Sequence, residues 1–177
     1  LIIYVDGDVE VEGTVVGRVT LYSSGNMYLI NNIQYSGSSY FNGWFEHERF
    51  PHFLGLVSDR NIIIEDNNRN GKENGWGNGG GHPNRHSINI NGSLIALGGS
   101  FTFEHQNDER DLYQGPEPDE RGLVNLKGSV AQFRRGYLHR DNHDGTGYRM
   151  AYNMDPRLLY DGPPGFRPGE YPDISGR

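Results

Sequence analysis

The sequence predicts an all-β chain. The expected fold is a single-stranded parallel β-helix, or β-solenoid, of about three to four coils with loop insertions and a Pro-rich C-terminal arm. The first sign is a repeated stretch. Val9-Glu10-Val11-Glu12-Gly13-Thr14-Val15, Ile88-Asn89-Ile90-Asn91-Gly92-Ser93-Leu94 and Val124-Asn125-Leu126-Lys127-Gly128-Ser129-Val130 share one pattern. The pattern runs apolar, polar, apolar, polar, Gly, Ser or Thr, apolar. Alternation with period 2 describes a strand with one buried face. The glycine lets the backbone bend, and the small hydroxyl residue fits a tight corner. The second sign is a different pattern at nearly the same spacing. Leu21–Leu29 lines up with Leu56–Ile64, 35 residues on, and the last two copies of the first pattern lie 36 apart. Strands stacked coil on coil produce such spacing. A β-sandwich with chance similarity among its strands is the competing architecture, and the recurrence of corner residues argues against it. The third sign is composition. With 26 Gly in 177 residues and 34% apolar residues, the chain suits short strands, tight corners and a narrow core.

Taken in order, residues 2–35 read as strands at Ile2–Val5, Asp8–Glu12, Thr14–Val16, Arg18–Tyr22, Asn26–Ile30 and Ile33–Tyr35, broken at Gly7, Gly13, Gly17 and Ser24-Gly25. Connections this short exclude helical crossovers. Residues 36–53 form an insertion holding Tyr40, Phe41, Trp44, Phe45, Phe50 and Phe53. It reads as a loop burying its rings on the solenoid, or as an aromatic platform for sugars or a partner protein. Strands resume over 54–65. The Asn- and Gly-rich run 66–86 has almost nothing to bury and reads as a surface insertion. Further strands follow at Ser87–Ala96 and Ser100–Glu104, then an acidic insertion over 105–121, then the last repeat at Leu123–Phe133. From Arg134 the pattern fades. Asp155–Tyr160 is expected to form one helical turn with Pro156 at its first position. The domain is thus read as residues 1–140. Residues 141–177, with Pro163, Pro164, Pro168 and Pro172, are an extended arm or a cap over the solenoid's end.

A formal net charge of −7 argues against a nucleic-acid partner, whose backbone needs a basic surface. The absence of cysteine excludes disulfides and thiol catalysis. No apolar run approaches the length of a membrane span. A chain opening on Leu1 and directly into a strand reads as cut from a longer precursor.

One resemblance covers nearly the whole chain. It is carried by the ordered set Gly7-Asp8-Val9, Gly13-Thr14-Val15, Leu56-Val57-Ser58, Asn61-Ile62-Ile63-Ile64, Gly92-Ser93-Leu94-Ile95-Ala96, Gly128-Ser129-Val130, Asp155-Pro156-Arg157-Leu158-Leu159-Tyr160 and Pro163-Pro164-Gly165-Phe166. In this set the chain resembles an uncharacterised bacterial envelope β-helix domain family, often found behind a pilin-like N-terminal segment. The resemblance implies an exported, structural or surface-associated β-helix and transfers no catalytic residue.

Candidate sites are few. Asp66, Asn68 and Asn70, followed by Gly71, match the opening of a calcium loop, with oxygens on alternate residues and a turn at glycine. The carboxylate expected at the twelfth position is Gly77, so affinity for calcium is expected to be weak, and an Asn/Gly turn is the plainer reading. Asp141-Asn142-His143-Asp144-Gly145 is a similar candidate. His82 and His86 have zinc-like spacing only on a helix, which Gly79-Gly80-Gly81 and Pro83 oppose. Glu46-His47-Glu48 reads as a solvated run beside aromatics. Glu10 and Glu12 share a strand face directed outward, with no base or cation in register, so no catalytic residue is assigned.

The expected function is a non-enzymatic, exported structural or assembly module. Its strand edges, with Leu1, Ile2, Ile3 and Tyr4 foremost, would pair or stack copies into a surface or extracellular filament. The second reading is a carbohydrate-binding or polysaccharide-cleaving β-helix with weak calcium dependence, in which Tyr40, Trp44, Phe45 and Trp76 stack on sugar rings.

Overall fold

Apolar–polar alternation broken every few residues by Gly, Ser or Asn leaves segments long enough for strands and too short for helices. A computed structural model describes residues 1–38, 51–70, 86–104, 120–140 and 146–166. These form eleven strands and no α-helix: β1 (Ile2–Val5), β2 (Val9–Val15), β3 (Arg18–Ser23), β4 (Met27–Tyr35), β5 (Phe53–Ser58), β6 (Ile62–Ile64), β7 (Ile88–Ala96), β8 (Phe101–Phe103), β9 (Glu120–Gln132), β10 (His139–Arg140) and β11 (Thr146–Met154). All belong to one large sheet, parallel throughout except where β10 meets β11. No helix among the described residues is long and apolar enough to cross a membrane.

The pairings fall into three columns. In the first, Tyr4, Tyr22, Val57, Ile95 and Ala131 lie side by side on β1, β3, β5, β7 and β9. In the second, Val9, Met27, Ile62 and Phe101 align on β2, β4, β6 and β8. In the third, Gly13, Ile33, Ile90, Leu126 and Tyr152 align on β2, β4, β7, β9 and β11. A strand therefore bends at a corner and continues in the next column. The core lies between the columns. Met27, Leu29, Ile62, Ile64, Phe101 and Phe103 from the second column meet Leu56 and Leu94 from the first and Ile33, Ile90 and Leu126 from the third.

Backbone groups at the corners are satisfied by stacked polar side chains. Ser23 Oγ donates to the Gly7 carbonyl, and one rung on Ser58 Oγ donates to the Gly25 carbonyl at 2.7 Å. Asn61 Nδ2 donates to Asn26 Oδ1 at 3.1 Å, and Asn61 Oδ1 accepts from the Ser100 N–H. Asn125 Nδ2 donates to Asn89 Oδ1 at 2.9 Å in the third column. Buried polar groups need such partners.

The repeats find each other in register. Ile88 through Leu94 lie opposite Val124 through Val130, and Leu21 and Met27 lie opposite Leu56 and Ile62. The first copy of the repeat does not join them. Val9–Val11 pairs with Met27–Leu29 and Gly13–Val15 with Ile33–Tyr35, so Gly13 turns between the second and third columns. Gly92 and Gly128 instead stack between the third and first. The resemblance of Val9–Val15 to the other copies reflects a shared corner chemistry at a different corner. Two strands expected at 8–12 and 14–16 are one strand carrying a register shift between Val11 and Gly13.

The fade expected from Arg134 is corrected by β11, which continues the third column beside β9. Its apolar positions include Met150, Tyr152 and Met154, a weaker alternation than the Ile/Val/Leu strands. The turn expected near Asp155 is present as a 3-10 turn at Pro156–Leu159, with Asp155 accepting from the Arg157 N–H.

Candidate functional site

Three surfaces stand out: the two ends of the stack and the outer face of the first column. At one end, β1 pairs only with β3 and β2 only with β4 among the described residues. Leu1 donates to the Arg18 carbonyl and accepts from Thr20 N–H, while Val5 accepts from Ser24 N–H. Odd-numbered residues of β1 thus bond inward to β3. In a parallel strand the even-numbered ones, Ile2 and Tyr4, then direct their N–H and C=O groups to the open edge. The side chains there are apolar and accessible: Leu1 is 71% exposed, Ile2 61% and Tyr4 63%. Val9, Val11 and Val15 are only partly buried against the core.

At the opposite end, Met150, Tyr152 and Met154 extend the inward-facing stack of Val124, Leu126 and Gly128. Each stays about half exposed because no further strand covers it among the described residues. With Phe101, Leu138 and Arg135 they line a cavity of about 950 Å³.

The outer face of the first column carries a strap. Beyond the 3-10 turn, Asp161–Phe166 lies across β3 and β5. Arg18 forms a two-pronged ion pair with Asp161 and donates to the Gly162 carbonyl at 2.6 Å. The Arg18 hydrogen bond holds the Asp161 carboxyl below the usual carboxylate range. Thr20 Oγ1 donates to the Pro164 carbonyl at 2.6 Å. Phe166 sits over Gly55, where an added Cβ would meet the ring at 2.5 Å. Just beyond β11, Asp155 is 1% exposed and paired with Arg157, whose guanidinium also stacks over Tyr35 and Phe53. Burial pushes the Tyr35 hydroxyl up to about 12 and lowers the Lys127 ammonium. Of the arm expected over 141–177 as an extension or a cap, the described stretch Asp161–Phe166 runs along the side of the first column.

Beside the strap, Ile2, Tyr4, Tyr22, Val57, Ile95 and Phe166 enclose a groove of about 600 Å³. Tyr4 and Tyr22 stack at 5.2 Å between ring centroids. A hydrogen bond to Asp59, before desolvation, pushes the Tyr22 hydroxyl up to about 12.

The interaction residues expected at Leu1, Ile2, Ile3 and Tyr4 therefore gather at one exposed edge. Tyr40, Trp44, Phe45 and Trp76, with His82 and residues 141–144, lie outside the described residues. The calcium candidates differ in exposure: Asp66 is half-buried, Asn68 exposed and Asn70 buried. Asn70 is fully buried, and its Nδ2 donates to the Leu29 and Glu65 carbonyls at 2.7 and 3.2 Å. Asn68 is exposed, and the Asp66 N–H donates to Glu104. Asn67, outside the candidate set, organises the turn by accepting from the N–H groups of Arg69 and Asn70. Among the described residues no three His, Asp or Glu side chains cluster as metal ligands. The strap anchors Arg18, Thr20 and Gly55 escaped sequence reasoning. The partners of Arg18 and Thr20 are 143 and 144 residues away, and the only local signal was Pro163-Pro164-Gly165-Phe166. Comparison with protein-family models, curated proteins and solved structures finds no match to this chain.

Proposed function

We propose that the chain is a β-solenoid whose successive coils stack strand on strand along the three columns, and that it works as a non-enzymatic assembly module joining copies of itself outside the cell. The observation that carries the reading is the open edge of β1, with Ile2 and Tyr4 presenting unpaired backbone groups beside exposed apolar side chains. An exposed strand edge with apolar flanks is a template for pairing with another chain. The half-exposed Met150, Tyr152 and Met154 at the far end give a second apolar surface. Sedimentation velocity over a concentration series, with negative-stain imaging at its top, tests the reading. Growth of mass with concentration is expected; monomers throughout would remove it.

A second reading is favoured by the groove beside the strap. Stacked Tyr4 and Tyr22 faces with the Asp59 carboxylate nearby are suited to a sugar ring, which offers C–H groups to the aromatics and hydroxyls to the acid. A glycan array read with and without EDTA tests it, and Tyr22→Ala should abolish any hit.

A further inference from the structure

We propose that copies join head to tail in one register, the acidic first coil of one molecule seated on the basic last coil of the next. This rests on the self-association just proposed and specifies its partner surfaces. The inference starts from the ladder of the first column. Ile2, Thr20, Gly55, Ser93 and Ser129 lie side by side through five strands, and so do Val5, Ser23, Ser58, Ala96 and Gln132. The Ser129–Gln132 segment has no strand beyond it among the described residues, since β11 pairs with β9 only as far as Gly128. The next position on the ladder is open at Ser129, and the position before it is open at Ile2. A second copy's β1 set there continues the column without a break, Ile2 beside Ser129 and Val5 beside Gln132.

The third column agrees. The third column ends on Tyr152 and Met154 and begins on Gly13 and Val15. Continuing the coil places the partly buried Val15 of one copy on the half-exposed methionines and tyrosine of the other, covering apolar surface at both ends at once.

Charge selects this pairing over end-on-same-end contacts. The corner after β1 carries Asp6 and Asp8, both exposed, each accepting one bond from its own chain, from Ser24 Oγ and the Asn26 N–H. The same corner of the last coil, after Gln132, carries Arg134 and Arg135, both exposed. In the continued stack these four meet as opposite charges. Two first coils brought together would set carboxylates against carboxylates, and two last coils guanidiniums against guanidiniums. The interface is heterologous and does not close, so it propagates.

Two charge-reversed chains test the register. D6K/D8K is basic at both ends, and R134E/R135E is acidic at both ends. Each alone should remain monomeric at concentrations roughly ten times those at which the native chain assembles, and an equimolar mixture should recover assembly. All four side chains are exposed, so circular dichroism should show both variants folded. A second test uses the absence of native cysteine: I2C/S129C should form a ladder of intermolecular disulfides under mild oxidation, since neighbouring strands place such residues within bridging distance. Native self-association that survives both reversals, or a double-cysteine chain that assembles without cross-linking, overturns the register and leaves the self-association reading intact. A native chain that never associates removes that reading instead.

Discussion

Gly128→Ala tests whether the corners truly stack. Gly128 has φ of 151°, and its neighbour on the ladder, Gly92, has φ of 152°. An added Cβ at Gly128 would overlap the Gly92 carbonyl oxygen outright and lie 2.5 Å from its carbonyl carbon. Those atoms belong to a ladder backbone, so they yield only if two rungs separate. Gly13 supplies the control. Its φ is 112°, equally unsuited to a side chain, but nothing lies within 4 Å of an added Cβ. Holding alanine at such a φ costs about 1–3 kcal/mol, and Gly13→Ala should lose about that. Gly128→Ala adds an overpacking penalty of about 1–3 kcal/mol, for a total near 2–6 kcal/mol. For a chain of this size each kcal/mol moves the melting point about 2–4 °C, so the two variants should melt about 2–12 °C apart. Urea titrations followed by circular dichroism give the free energies directly. Equal losses in the two variants would mean that Gly92 and Gly128 do not contact each other as the ladder requires.

Three further perturbations probe the strap and the core. Asp155→Ala removes the counter-charge of the largely buried Arg157 together with a cap, so a loss of about 3–5 kcal/mol is expected in urea titrations; a loss under about 1 kcal/mol would show the pair to be incidental. Gly55→Val drives a side chain into the Phe166 ring, and hydrogen exchange should accelerate across Asp161–Phe166 while β6 and β8 stay protected; unchanged exchange in the strap would refute its seating on Gly55. Tyr35 makes alkaline stability pH-dependent. Its hydroxyl is pushed up to about 12 in the fold and ionises near 10 when unfolded, so its contribution is complete below pH 10 and is lost as pH rises towards 12. The urea midpoint should fall over that window, and Tyr35→Phe should make the fall shallower; an identical slope in the variant would rule Tyr35 out as a contributor.

Much of the strand pairing was readable because a strand that pairs with a neighbour of the same residue types leaves a repeat in the sequence. Ile88–Leu94 and Val124–Val130 are such neighbours, and their pairing followed from the pattern alone. Val9–Val15 imitates them because its corner, like theirs, uses a glycine at positive φ followed by a small residue while joining different columns, so composition reveals a corner without telling which one. β11 was missed for a related reason. Over Met150–Met154 it pairs only with β9 among the described residues, and methionine and tyrosine replace the branched aliphatic residues that mark strands packed on both sides. The strap was illegible in kind. Arg18 and Asp161 are joined by geometry across the whole chain, and no periodicity encodes a single contact. The aromatic platform expected at Tyr40, Trp44 and Phe45 drew on aromatic density; the aromatic groove that the described residues do form comes from single tyrosines on β1 and β3 brought into line by the ladder.

Stacked repeats ordinarily gain stability from neighbour to neighbour, so terminal rungs fray first. Here the terminal rung is also the proposed joining surface, and a frayed edge would have to be ordered again at each association. The strap answers that difficulty. It leaves β11 at Asp155, whose N–H bonds the Gly128 carbonyl, passes Arg157 over Tyr35 and Phe53, and reaches Arg18, Thr20 and Gly55. The Arg18–Asp161 pair is half exposed and contributes on the order of 0.2–1 kcal/mol. Its importance is positional, because β3 is the strand on which β1 depends. Peeling β3 from β5 requires releasing Phe166 and the Thr20–Pro164 bond as well as the ladder itself. The strap thereby makes loss of the first two rungs a joint event with loss of contacts rooted in the last, and holds the open edge of β1 in the conformation that an incoming strand would need.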